Sequence, residues 1–223
     1  MKKLALIFTG ILLITSGLMA QVVETSLAEG VKLLNYEKNK SALAFFKEAL
    51  DKNPTNTENI FWYGEAVLAE QGSGMPSDTT IKKAKAIFQQ ALQAAGNDAW
   101  LLVGMAHIQS LEGADANAVK QNLEVAITSS LISKGKLKGK PNPEIINAIG
   151  RVFAELPSNV GDHQFAIDKL KEAVSSNETA GASLYINLGI NYLKLGGERG
   201  GEPLVEPGRV GHPDRADHNG TRV

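Results

Sequence analysis

The sequence predicts an all-α chain in which pairs of helices stack into a solenoid. The first observation is a repeated set of small and large apolar residues, which in its clearest copy consists of Gly30, Ala42, Phe46 and Ala49. The second is that apolar residues in the first two copies recur at the i, i+3, i+4, i+7 and i+8 spacing of an amphipathic helix. The third is the lack of any sustained apolar/polar alternation, so we expect no β-sheet.

Further copies of the set follow along the chain, each with a glycine on one helix and an Ala-x3-large-x2-Ala pattern on the next. They consist of Gly64, Ala84, Phe88 and Ala91, then Gly104, Val119, Leu123 and Ala126, then Gly150, Ala166, Leu170 and Ala173. A fifth copy begins at Gly189 and is not completed. A glycine inside a helix costs up to about 1 kcal/mol relative to alanine, so its recurrence at one position indicates that two helices approach closely there. Repetition of this kind is typical of a solenoid.

The intervals between the glycines locate the loops. Gly30 and Gly64 are 34 residues apart, whereas the later intervals are 40, 46 and 39 residues. The surplus residues are in EQGSGMPSDTT and SKGKLKGKPNP, which are rich in Gly, Pro and Ser and are therefore predicted to be loops. Pro54 predicts the end of the first helix pair, and Asn142 before Pro143 predicts an N-cap followed by proline at the first helical position.

The pattern resembles the tetratricopeptide repeat, a helix–turn–helix unit of about 34 residues. The resemblance covers roughly residues 23–197 and is weakest in the third copy, where Val119 replaces the usual small residue. It implies a right-handed α-solenoid of stacked repeats, about four of them complete and one truncated. It also implies that the glycines and the Ala-x3-large sets are the residues that pack the repeats together.

In tetratricopeptide proteins the first helix of each pair lines a concave groove that binds a protein or peptide. The resemblance assigns to this groove Leu27, Val31, Leu34, Phe61, Glu65, Leu68, Leu101, Met105, Ile108 and Arg151, with Asn147 and Glu155 at its charged end. A mostly apolar groove suits an amphipathic helix or an extended apolar segment as the partner. The alternative is that neighbouring helices, or the loop around Gly74, cover these residues.

The first twenty residues have the features of a secretory signal peptide. Lys2 and Lys3 precede an apolar run, and Ala20 is suited to cleavage before Gln21. The alternative is an uncleaved helix that anchors the chain in the inner membrane. The absence of cysteine excludes a lipid-modified cysteine at the cleavage site and any disulfide framework. We therefore expect a periplasmic or otherwise exported protein of a Gram-negative bacterium.

The repeat domain is predicted to extend over residues 21–197, and residues 198–223 differ from it in composition. They hold four of the five arginines and no lysine, and Pro203, Pro207 and Pro213 exclude a continuous helix. The segment is interpreted as a disordered or aberrant tail, either native and flexible or produced by a frameshift. In both cases the fifth repeat lacks its second helix.

No catalytic, cofactor or metal site is predicted. The formal net charge is −1, and the basic cluster at residues 134–140 is interpreted as a solvated loop, with a contact for an acidic partner or anionic lipid as the alternative. A nucleic-acid partner is therefore not expected. His107 is interpreted as a core or groove-edge residue and His163 as a loop or cap residue, and no two histidines have metal-ligand spacing on a helix.

These observations favour a non-catalytic scaffold in the cell envelope that holds a protein or peptide in its groove. One alternative is a structural, spacer or sensory repeat region, from a truncated copy of a longer protein, with no bound peptide. An enzyme is the last alternative. The binding role depends on family analogy, because one fold serves many functions.

Overall fold

Helices form throughout the segments in which apolar residues recur at helical spacing. The computed structural model describes residues 27–72, 74–176 and 181–198, and within these ranges it contains helices and no strand, as predicted. The helices are α1 (residues 27–35), α2 (Asn39–Lys52), α3 (Thr57–Ala69), α4 (Asp78–Ala95), α5 (Ala99–Leu111), α6 (Ala116–Ser129), α7 (Pro143–Glu155), α8 (His163–Ser176) and α9 (Ala182–Glu198).

Polar side chains cap the helices where the sequence changes from loop to apolar repeat. The Asn142 side chain accepts a hydrogen bond from the backbone N–H of Glu144, and Pro143 lies in the first turn of α7, which confirms the predicted cap. Helix α2 ends at Lys52, shortly before Pro54. Four further helices, α3 to α6, have side-chain caps from Asn56, Ser77, Asp98 and Asp115.

Both predicted loops are present, with one change at an end. The first is shorter than predicted because Ser77 caps α4, so that its last residues, 78–80, are helical. The second folds back on itself: Ile132 donates its backbone N–H to the carbonyl of Lys140, and Gly139 donates to the carbonyl of Ile132. The lysines of this loop are exposed, which agrees with a solvated loop.

Each helix packs against its neighbours in the chain. The even-numbered helices α4, α6 and α8 contact the helices before and after them, and α3, α5, α7 and α9 contact one another in succession. The result is an all-α arrangement of successive helix pairs. No helix in the described ranges is long and apolar enough to cross a membrane. The predicted signal peptide lies outside the described residues, as does the predicted tail beyond Glu198.

The repeat glycines mark close approaches between helices. A Cβ atom added to Gly64 would lie 2.2 Å from the ring of Phe88, and one added to Gly104 would lie 2.5 Å from the same ring. Carbon atoms in contact normally lie about 3.5–4.0 Å apart, so a side chain at either position would overlap the ring. Phe88 is fully buried between the two glycine-bearing helices, α3 and α5.

The first and fourth repeats have the same contact, and the fifth lacks it. A Cβ on Gly30 would lie 2.5 Å from Phe46, and one on Gly150 would lie 2.7 Å from Leu170. Within the part of the chain that the structure describes, nothing lies within 4 Å of the corresponding position at Gly189. The sequence therefore places five glycines at one repeat position, but only four of them are covered by a large side chain.

Candidate functional site

A cavity of about 790 Å³ lies on the side of the molecule formed by the odd-numbered helices. All five of these helices contribute to its lining, as does the loop between α3 and α4. Representative lining residues, in helix order and ending with the loop, are Leu34, Leu68, His107, Arg151, Ile190 and Met75. The stacking of the helix pairs therefore produces one shared inner face rather than separate surfaces.

A buried ion pair lies at the wall of this cavity. The Nδ1 atom of His107 on α5 is 3.0 Å from Oε2 and 3.1 Å from Oε1 of Glu65 on α3. The exposed fractions of the two side chains are 3% and 1%. Most of the other buried residues on these two helices are apolar, with Asn59 on α3 and Ser110 on α5 as the polar exceptions.

The Glu65 carboxylate favours the protonated form of His107. Burial lowers the pKa of the histidine, but the Glu65 carboxylate raises it through both its charge and its hydrogen bond, and the net result is a raised pKa. Glu155 adds to the rise and Arg151 opposes it. The imidazolium form of His107 therefore persists to higher pH than in a free histidine.

Arg151 joins this wall to the first helix of the chain. Its guanidinium donates to the side-chain oxygen of Asn35 at the end of α1 and forms an ion pair with Glu155 one turn later on α7. The guanidinium carbon also lies 5.7 Å from the centre of the Trp62 ring. Asn35 and Arg151 are 116 residues apart, so this contact brings the first and fourth helix pairs together across the cavity.

Three of these residues have the donor atoms of a metal site. Ligand atoms of Glu65, His107 and Glu155 all lie within 4.8 Å of one another, and imidazole with carboxylates suits a divalent ion such as Zn²⁺. The protein's own groups, however, already balance these charges, since Glu65 pairs with His107 and Glu155 pairs with Arg151. The cluster is therefore a four-membered network of two carboxylates, one imidazole and one guanidinium.

The predicted groove residues lie in two environments. Seven of the ten are buried, namely Leu27, Leu34, Phe61, Glu65, Leu68, Leu101 and Ile108, and the other three, Val31, Met105 and Arg151, are partly buried. Of the ten, Leu34, Leu68 and Arg151 line the cavity. Neighbouring helices thus cover most of these positions, as in the alternative considered from the sequence, and partner contact through the full set stays a prediction.

His163 differs from its sequence-based interpretation. Asp162 accepts a hydrogen bond from the backbone N–H of Phe165, so the cap lies one residue earlier and His163 is the first residue of α8. Its side chain is 1% exposed, and its Nδ1 lies 3.1 Å from the side-chain oxygen of Asn191 on α9. The residue therefore fastens α8 to α9 and does not lie in a loop.

No family model matches the chain, and no curated protein matches it significantly. The cavity and its charged wall are therefore the basis of the functional proposal.

Proposed function

We propose that the chain is a non-catalytic interaction module that binds a peptide segment of another protein in the inner cavity. In this proposal the helix pairs are tetratricopeptide-type repeats stacked into a right-handed solenoid. The observation that carries it is the single cavity to which all five odd-numbered helices contribute. Stacked helix pairs use such a shared inner face for binding. A volume of about 790 Å³ also lies within the range of about 300–1,000 Å³ typical of ligand pockets.

The lining chemistry indicates the kind of peptide that would fit. The charged lining residues outside the Glu65–His107 pair are Lys32, Glu37, Arg151, Glu155 and Lys194. The large apolar ones include Leu34, Leu68, Met75, Leu111, Ile186 and Ile190. These residues are three basic and two acidic side chains, so they give the lining a small excess of positive charge beside its apolar surface. A peptide that combines apolar side chains with an acidic group is the favoured ligand.

Export of the chain is a second part of the proposal, supported by the signal-like residues 1–20. Fractionation of the producing bacterium should place the protein in the periplasm, with a mature N-terminus at Gln21. Recovery from the membrane fraction with residues 1–20 still attached would instead support the anchored form.

Peptide selection against the full mature chain tests the binding role. A library of displayed linear peptides would be enriched on the chain, and the affinity of each selected peptide would be measured by fluorescence anisotropy. The matched variants are Ala154→Trp, which places an indole at a cavity-lining position, and Ala94→Trp, which makes the same change at an exposed position of α4.

Peptides bound in the cavity should lose at least about tenfold in affinity with Ala154→Trp, a change of about 1.4 kcal/mol, and bind Ala94→Trp as they bind the parent. If no peptide is enriched, or if the two variants bind alike, the spacer or structural alternative is preferred. Circular dichroism of both variants checks that the helices are retained.

A further inference from the structure

Helix α9 exposes large apolar side chains along one face. The exposed fractions of Tyr185, Tyr192 and Leu193 are 55%, 36% and 67%, whereas most large apolar residues of the described chain are buried. These three residues and Gly189 have the three- and four-residue spacing that places them on one side of a helix. We call the surface formed by Tyr185, Gly189, Tyr192 and Leu193 the α9 face.

The rotation of α9 about its axis is set by polar contacts on its opposite side. The Asn187 side chain donates to the side-chain oxygen of Asn147, at 2.9 Å, and the Asn191 side chain donates to the backbone carbonyl of Gly150, at 2.8 Å. Both asparagines are buried. Turning α9 to bury its apolar face would break these bonds and leave buried polar groups without partners, which is unfavourable.

Gly189 leaves an unfilled space at the centre of the α9 face. At Gly64 and Gly150 the same repeat position is occupied by the ring of Phe88 or the end of Leu170 from the next helix, at 2.2 and 2.7 Å from an added Cβ. At Gly189 no atom of the described residues lies within 4 Å of that point. The α9 face therefore has the shape that accepts a large side chain elsewhere in the chain, and no helix among the described residues supplies one here.

The glycines that are covered show which residue pattern a helix needs in order to fit at Gly189. Each covered glycine receives its large residue from an amphipathic helix with an alanine four positions before that residue, as in Ala84 and Phe88 of α4. Residues 199–223 follow α9 directly, but their three prolines exclude a continuous helix and they contain no Phe, Tyr or Trp. In a second copy of the chain, the even-numbered helices already pack against that copy's own odd-numbered helices, so they are not free to cover the α9 face.

We propose that the α9 face docks one amphipathic helix of a partner protein, with a small residue followed four positions later by Phe or Leu, which inserts at Gly189. This surface is separate from the proposed peptide cavity, so the inference goes beyond the proposed function. The apolar area exposed by the two tyrosines and Leu193 supplies the driving force, and the unfilled position at Gly189 supplies the register.

A peptide of the chain's own α4, residues 78–95, is a direct probe because Phe88 already fits against two glycines. An isolated helix of this length is only marginally stable, so a lactam between exposed Lys82 and an introduced Ala86→Glu keeps it helical. Its affinity for the full chain would be measured by fluorescence anisotropy. The matched changes are Phe88→Ala in the peptide and Gly189→Leu in the chain, which places a side chain in the open position, where an added Cβ meets no described atom within 4 Å.

The proposal predicts saturable binding of the bridged peptide that either change weakens at least tenfold, while Ala154→Trp in the cavity leaves it unchanged. No saturable binding, or equal binding to the Gly189→Leu chain, would overturn it. Loss of binding with Ala154→Trp would place the peptide in the cavity instead. If sedimentation shows a dimer that Gly189→Leu dissociates, a second copy rather than a partner helix occupies the face, and the proposal is again wrong.

Discussion

His107 and Glu65 form an ion pair between adjacent odd-numbered helices, with 3.0 Å between Nδ1 and Oε2 and almost no exposure of either side chain. Both are buried titratable residues on helices whose other buried residues are mostly apolar. The pair therefore links α3 to α5 only while both partners are present, because an isolated buried charge is costly.

Replacement of Glu65 by glutamine tests the contribution of this pair to stability. Glu65→Gln keeps the shape of the side chain but removes the charge that holds His107 protonated. The free energy of unfolding should fall by about 1.5–3 kcal/mol, the usual contribution of a hydrogen bond to a charged group. Urea denaturation gives the value, and Glu172→Gln at an exposed position of α8 is the control. Equal stability of the two variants would contradict a structural role for the pair.

The same pair predicts how stability depends on pH. Because Glu65 raises the pKa of His107 in the folded chain above the ordinary value of 6.5, the folded state binds the proton more tightly than the unfolded state. The stabilisation is complete below the unfolded pKa and is lost as pH rises through the folded pKa. The difference in unfolding free energy between the parent and Glu65→Gln should therefore shrink at alkaline pH. A difference that is constant from about pH 6 to 9 would oppose this.

Alanine substitutions at two repeat glycines should have opposite effects. Gly64→Ala would place a Cβ 2.2 Å from the Phe88 ring, so overpacking should destabilise the fold by about 1–3 kcal/mol. Gly189→Ala meets nothing, and alanine's better helix propensity should stabilise the chain by about 0.5–1 kcal/mol. Thermal unfolding of the two variants compares them directly. If both substitutions changed the stability in the same direction, contact with Phe88 would not be what excludes a side chain at position 64.

Replacement of Arg151 should loosen the first helix. Arg151→Met retains apolar contact with Trp62 but removes the donor to Asn35 and the ion pair with Glu155. Amide hydrogen exchange in α1 should become faster, because this contact fastens that helix to α7. Amide exchange in α4, which has no substantial contact with α7, the helix that carries Arg151, serves as the internal reference. Unchanged exchange in α1 would show that packing against α2 is sufficient to hold it.

Local features of this chain could be predicted from residue type and spacing. The N-cap at Asn142, the end of α2 before Pro54 and the absence of strands in the described residues follow from backbone preferences that act over a few positions. His163 was interpreted as a loop or cap residue, whereas Asp162 accepts the capping hydrogen bond and His163 is the first residue of α8. Two adjacent polar residues do not indicate which of them begins the helix.

The site required distances that the sequence does not contain. Glu65 and His107 are 42 residues apart, and Arg151 and Asn35 are 116 residues apart, so no local spacing connects them. The sequence assigned Glu65 and Arg151 to the inner face. It gave no indication that Glu65 would pair with His107 or that Arg151 would donate to Asn35. Whether an inner residue is open or covered also depends on how closely the helix pairs approach.

By itself, the sequence determined the helical class, the repeat positions and the places where glycine recurs, because these are set by periodicity and by side-chain size along one chain. The tertiary structure alone decided which glycines are covered by a large side chain, which inward residues line the cavity and which ionisable side chains pair. Gly150 and Gly189 show the difference, since they occupy the same position in their repeats, but among the described residues a following helix covers only Gly150. That coverage is a property of packing between helices, and no residue within either helix encodes it.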